Sequence, residues 1–324
     1  YEDYDEFDTT TDYKISARYQ FTDSFAMRAT ANTGFRSPTP GQVNTLNVTT
    51  TSNSEGELVI NSTFPGYDPI AVELGAVPLV PEESESYTVG LVWTPSDTTS
   101  VTVDYYRITI DNRVVLDQNF MEQDDVDALI AAGIPVTDAT RLLGGFANFF
   151  VNGFDSEVSG IDVAVSRSFS VGGGQLLVDG RTNFNEQKVS NVASGTLNES
   201  RVYDLENQVP QQRSTLTLDY SRGDSFSGLL RFNYYGDWSS TGGLFSPGDA
   251  SDQSDYGSTV LVDLEARFTF GKRYTVAIGG ENIFDELPDP EQDGVLQFLG
   301  VRPALTSPFG FNGAFYYARA SVKF

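Results

Sequence analysis

Apolar and polar residues alternate with a period of two along much of this chain, most clearly from Thr259 to Phe270. Val260, Val262, Leu264, Ala266, Phe268 and Phe270 share one parity; Thr259, Leu261, Asp263, Glu265, Arg267 and Thr269 share the other. Successive side chains of a strand point to opposite faces, so the pattern predicts a strand with one apolar and one mainly polar face. Gly271-Lys272 then supplies a two-residue turn, and Tyr274, Val276 and Ile278 resume the alternation against Arg273 and Thr275. The last segment sets Ala314, Tyr316, Ala318, Ala320, Val322 and Phe324 against Phe315, Tyr317, Arg319, Ser321 and Lys323. Similar runs occur at Tyr87–Trp93, Leu176–Phe184, Leu216–Tyr220 and Leu230–Trp238. Less regular ones lie at Tyr13–Gln20, Phe25–Phe35, Val101–Ile110 and Glu157–Phe169. The total is about eleven strands, most near the 9–11 residues that a tilted strand needs to cross a bilayer.

A soluble sheet with one wet face gives the same alternation. The connections separate the two readings. Phe21–Ser24, Pro95–Ser100, Ser170–Gly174, Arg222–Ser225 and Gly271–Lys272 are tight. Arg36–Glu85, Asp111–Ser156, Lys188–Gln212, Ser239–Ser258 and Ile283–Asn312 are long, and the two kinds alternate along the chain. Outer-membrane barrels have this asymmetry, with short periplasmic turns and long external loops. Aromatic residues also gather at strand ends, at Tyr105-Tyr106, Phe149-Phe150, Tyr234-Tyr235, Trp238, Tyr274 and Tyr316-Tyr317, as expected of interfacial girdles.

No stretch reaches the roughly 18 consecutive apolar residues of a membrane helix, and lipid offers no partner for an unpaired backbone group. A spanning chain without such helices must therefore form a closed barrel. If the tight turns are periplasmic, the chain enters from outside and ends inside. Bacterial barrels have an even strand number, so an odd number of further strands is expected before Tyr1. The fold expected is thus all-β: an antiparallel transmembrane β-barrel in the outer membrane of a Gram-negative bacterium, with outer-membrane lipid around it.

Charge and composition narrow the chemistry. The 324 residues carry a net charge of −25, which disfavours a nucleic-acid partner. There is no His and no Cys, which removes Ser-His-Asp and Cys-His catalysis and the commonest zinc ligands. No Gly-rich phosphate loop precedes a helix. The chain therefore reads as a non-enzyme with no cofactor and no metal. The acidic run Glu122–Asp127 lacks the alternating spacing of a calcium loop and reads as the first turn of a helix over Asp124–Ala132, stopped by Gly133 and Pro135.

Several stretches resemble one family. ATANTGFRSPTPGQ (29–42) is similar to a strand ending in a Gly-Phe-Arg-x-Pro turn, and PEESESYTVGLVWTP (81–95) to a Pro-Glu-x-Ser strand followed by VTVDYYRITIDNRV (101–114). GFDSEVSGIDVAVS (153–166) resembles a Gly-(Ile/Val)-(Asp/Glu) strand. GGENIFDELP (279–288) resembles an Asn-Leu-Phe-Asp motif, and FYYARASVKF a closing strand with a terminal Phe. In this order and spacing they resemble the C-terminal β-barrel of TonB-dependent receptors across residues 1–324. The resemblance implies a 22-stranded barrel, an N-terminal plug domain that this chain does not contain, and energy from the TonB complex. It further implies import of a small-molecule or metal-chelate ligand of the siderophore-iron, cobalamin or oligosaccharide class. A passive porin-like barrel, or a structural or adhesive one, is the alternative. Phe324 would be read by the barrel-assembly machinery, although the family's usual Gly is missing from the closing residues.

The polar parity of the strands carries Arg28, Asn32, Arg36, Arg181, Asn183, Arg231 and Asn233. These are expected to line the lumen and are the candidates for ligand contact, Arg suiting a carboxylate or an iron chelate. Cargo specificity is expected mainly in the long loops.

Overall fold

A computed structural model describes residues 2–4, 7–52, 58–193, 195–241, 253–298 and 300–323. The chain begins with a small antiparallel pair, β1 (Glu2–Tyr4) and β2 (Phe7–Thr10). β3 (Lys14–Thr22) and β4 (Phe25–Arg36) follow. A long connection then carries α1 (Pro40–Asn44), β5 (Asn47–Ser52), β6 (Leu58–Thr63) and α2 (Pro69–Glu73). Next come β7 (Glu82–Ser96), β8 (Thr99–Phe120), α3 (Gln123–Ala131), α4 (Val136–Thr140), β9 (Phe146–Val171) and β10 (Gly174–Ser190). The remainder is α5 (Glu199–Asn207), β11 (Gln212–Arg222), β12 (Phe226–Tyr235), β13 (Trp238–Ser240), β14 (Ser254–Tyr256), β15 (Thr259–Phe270), β16 (Tyr274–Glu281), α6 (Gly294–Phe298) and β17 (Phe315–Val322).

Eleven of these strands form one continuous antiparallel meander, in the order β3-β4-β7-β8-β9-β10-β11-β12-β15-β16-β17. Chain neighbours are sheet neighbours throughout, and the two ends of the sheet, β3 and β17, are not joined among the described residues. The barrel is therefore open in this chain. All five tight connections fall where the alternation pattern put them. Two use paired positive φ angles, at Gly172 (60°) and Gly173 (76°) and at Gly271 (56°) and Lys272 (58°). Such turns twist in the sense of the flanking strands.

Burial is reversed relative to a soluble protein. The apolar parity of the strands faces outward: Ile15 is 68% exposed, Ile278 62% and Tyr316 65%. The largest core lies instead beyond the sheet, in the long connections, where Phe149, Met121, Val126, Leu129, Leu142 and Ala71 are all buried. It assembles because β8 and β9 run on past their neighbours as a long hairpin, against which α2, α3 and α4 pack. The connection read as starting at Asp111 and ending at Ser156 is accordingly shorter, spanning 121–145. Phe149 and Trp238, both expected at a membrane interface, are buried instead, Phe149 in this core and Trp238 in a separate cluster of the later connections. Phe149 is 1% exposed and Trp238 4%. The expected helix is α3, shifted by one residue, with Asp124 and Asp125 in its first turn and Gly133 (φ 98°) just beyond its end.

Candidate functional site

Register, not proximity in sequence, builds the polar face. Arg28 on β4 lies opposite Gly90 on β7, which lies opposite Asp104 on β8. The row continues through Asp162 on β9, Asn183 on β10, Arg213 on β11 and Tyr235 on β12. Because period-two parity is kept along each strand, Asn32, Arg36, Arg181, Arg231 and Asn233 share this face with Arg28 and Asn183. All seven residues read as lumen candidates thus sit on one side of the sheet, opposite the aromatic and aliphatic rows.

Their partners differ. The Arg28 guanidinium grips Asp104 with two bonds, Nε to Oδ1 at 2.8 Å and Nη2 to Oδ2 at 2.6 Å. Arg36 holds Glu82 in the same way, and Glu82 also accepts the Val114 N–H at 2.8 Å. Arg181 donates to Asp179 at 2.8 Å. The Asn183 amide reaches the Tyr106 hydroxyl at 3.0 Å and Asp162 at 2.8 Å, and Asn233 reaches Asp263 at 2.9 Å. Arg231 and Asn32 alone of the seven have no side-chain partner among the described residues. A second focus lies toward the C-terminus, where Glu265 accepts from Arg267 (2.7 Å), Tyr317 (2.7 Å) and Arg319 (3.0 Å).

Three of these contacts share a device that the sequence reading did not anticipate. In each, a long side chain crosses an intervening strand at a glycine. Arg28 meets Asp104 over Gly90, where an added Cβ would lie 1.8 Å from Asp104 Oδ1 and 3.1 Å from Arg28 Nε. Tyr106 crosses Gly160 to reach Asn183, and a Cβ there would be 2.6 Å from the Tyr106 hydroxyl. Tyr317 crosses Gly279 to reach Glu265, with the corresponding distance 2.7 Å. Interior strand glycines mark such close approaches, and that was the available signal.

At the rim of the long connections the charge is lopsided. Segments 37–81, 121–145, 191–211, 236–258 and 282–314 hold 21 acidic and 3 basic residues, a balance of −18 out of −25. The eleven strands hold 15 acidic and 14 basic residues. The last two connections also close on a second apolar cluster, in which Trp238 stacks on Tyr256 at 5.2 Å between ring centres, with Tyr235 and Phe309 beside them. The Tyr256 hydroxyl donates to buried Glu291 at 2.8 Å. Burial and that carboxylate push the Tyr256 phenol well above its ordinary pKa.

A family model described as "TonB dependent receptor-like, beta-barrel" matches residues 1–283. The chain belongs to the TonB-dependent receptor β-barrel family. Solved structures agree in fold. A variant of the ferric enterobactin receptor from Pseudomonas aeruginosa superposes with a TM-score of 0.64 at 13% identity, over 98% of this chain and 41% of that one. The siderophore receptor PirA from Acinetobacter baumannii gives 0.64 at 13% identity, over 99% and 42%. PirA from Pseudomonas aeruginosa gives 0.59 at 15% identity, over 99% and 43%. The chain thus spans about two fifths of the length of these receptors. No curated protein matches the sequence. Within the receptor barrel, Phe324, read as the assembly signal, lies outside the described residues.

Proposed function

We propose that this barrel is part of an outer-membrane receptor that imports a scarce nutrient of the siderophore-iron, cobalamin or oligosaccharide class with energy supplied through TonB. The observation that carries this reading is the two-faced meander: an outward apolar face suited to lipid, a polar inner face, and five long connections gathered on one rim. Family membership adds the dependence on TonB. The barrel-assembly machinery would insert it, and a plug outside this chain would complete the import path.

Electrostatics refine the cargo. Arg28, Arg36, Arg181, Arg267 and Arg319 are already committed to carboxylates of the same face, and the rim carries −18. Such a mouth repels anions and concentrates cations, and the effect weakens with salt. The cargo that fits is neutral or cationic. Of the seven lumen candidates, Arg231 and Asn32, which have no side-chain partner among the described residues, are the ones free to touch it.

Uptake under nutrient limitation tests the reading in a strain that makes the intact receptor. Growth on candidate nutrients should require this gene and should cease when TonB is inactivated. Uptake that persists without TonB would identify a passive pore instead. Loss of surface attachment with normal uptake would identify an adhesive barrel.

A further inference from the structure

Among the described residues five carboxylates are buried; three are fully met by donors, while Asp117 and Asp204 each keep one oxygen without a partner, and Asp204 is the more deeply buried of the two, 1% exposed against 7%. Asp104 and Glu82 hold arginines. Glu291, 3% exposed, accepts from Tyr256, from the Gln292 and Asp293 N–H groups on one oxygen and from the Leu305 N–H on the other. Asp204, on α5, is 1% exposed and receives one bond, from the Thr241 N–H to Oδ1 at 2.8 Å. Its Oδ2 is buried without any partner, and Asp204 forms no ion pair among the described residues.

Two further side-chain oxygens, on residues linked to Asp204 by helix spacing or by a backbone bond, are also buried without a partner. Ser200 precedes Asp204 by four residues, so the two side chains share one face of α5. Thr241 is tied to Asp204 by its own N–H. Ser200 and Thr241 are both fully buried, and Ser200 Oγ and Thr241 Oγ1 have no partner. A desolvated carboxylate without a counter-charge is costly, as is each orphaned hydroxyl.

We propose that Asp204, Ser200 and Thr241 form a site for a hard cation, with calcium the ion that fits best. The donor set is all oxygen and holds one carboxylate and two hydroxyls, which suits calcium's flexible coordination better than the strict octahedron of magnesium. A single carboxylate places the affinity with weak extracellular sites, on the order of 10⁻⁴ to 10⁻³ M. The acidic rim raises the local concentration of divalent cations around it. The ion would rivet the β10–β11 connection, which carries α5, to the β12–β15 connection, which carries β13 and Thr241. It would thereby hold one side of the mouth in shape. This inference does not depend on what the receptor imports.

The test uses the intact protein in detergent, stripped of divalent ions. Calcium chloride should raise its thermal midpoint by several degrees. It should also slow amide exchange in 200–207 by about tenfold, with half-saturation in the stated range. Asp204→Asn should abolish both responses, whereas Asp237→Asn, which removes an exposed rim charge, should keep them. Terbium offers a second readout that does not rely on stability. Trp238, at the start of β13, is three residues before Thr241, so bound terbium should luminesce on indole excitation, and calcium should quench that signal. Ser200→Ala with Thr241→Val should weaken the signal if Asp204→Asn does not fold. A calcium response equal in wild type and Asp204→Asn would overturn the proposal. So would no response up to 10-fold above the expected range together with an Asp204→Asn variant more stable than wild type, which would mean that the three oxygens surround water.

Discussion

Replacing Gly90 by alanine tests whether the polar face is built by side chains that cross a strand. The added Cβ would sit 1.8 Å from Asp104 Oδ1 and 2.7 Å from its Cγ, where ordinary contact begins at 3.4 Å. The carboxylate must therefore swing away by more than about 1 Å, which breaks both short bonds to Arg28. The Arg28 side chain is 51% exposed and that of Asp104 12%, so the pair is partly screened and its loss should cost about 1–2 kcal/mol. Against this, alanine in a strand gains about 0.5–1 kcal/mol over glycine. The net expectation is a loss of about 1 kcal/mol in the intact protein, measured by reversible urea unfolding in detergent or lipid. The sign should reverse in a background carrying Arg28→Ala and Asp104→Ala. There Gly90→Ala has nothing to displace and should stabilise by roughly the propensity gain alone. A substitution that stabilises equally in both backgrounds would refute the argument, since the glycine would then be incidental to the ion pair.

Gly145 lies where β6 joins β9, and an added Cβ would be 2.0 Å from the Ile60 carbonyl oxygen. Gly145→Ala should pry β6 off β9 and speed amide exchange in 58–64; unchanged protection there would count against this docking. Leu264 is on the apolar face, so Leu264→Arg should cost about 2–4 kcal/mol in a bilayer, whereas Thr217→Lys on the polar face should be tolerated. Equal costs would mean the faces are assigned wrongly. Asp117 lies in the β8 extension beyond the rim, and burial raises its carboxyl pKa despite the bond from Asn119. The folded state then holds this proton more tightly than the unfolded chain. The stability it contributes is full below the ordinary Asp value near ~3.9 and is lost as pH rises through the folded value. Asp117→Asn should therefore stabilise the external layer at neutral pH, and its advantage over wild type should shrink on acidification; an advantage that grows with acid would reverse the assignment.

What could be read from the chain alone follows from what parity preserves. A strand's alternation survives any register, so the face of Arg28, Asn183 or Arg231 was legible, as were the tight hairpins with Gly172-Gly173 and Gly271-Lys272 at their tips. Partners were not legible. Arg28 and Asp104 are 76 positions apart and meet only because two successive ladders hold register across β7. The extended β8–β9 hairpin was missed for a related reason. A bulge between Ile110 and Arg113, with Asn112 at a φ of 57°, shifts which residues face which way, so the alternation changes parity there without the strand ending. Beyond that bulge Phe149 turns into the external core, which is why it is buried rather than interfacial. Gly90, Gly160 and Gly279 were the clue within reach. Each interrupts a strand that would be stabler with a β-branched residue, and each does so directly opposite a long polar side chain that needs the room. A glycine of that kind locates a crossing contact even before the strand on its far side is known.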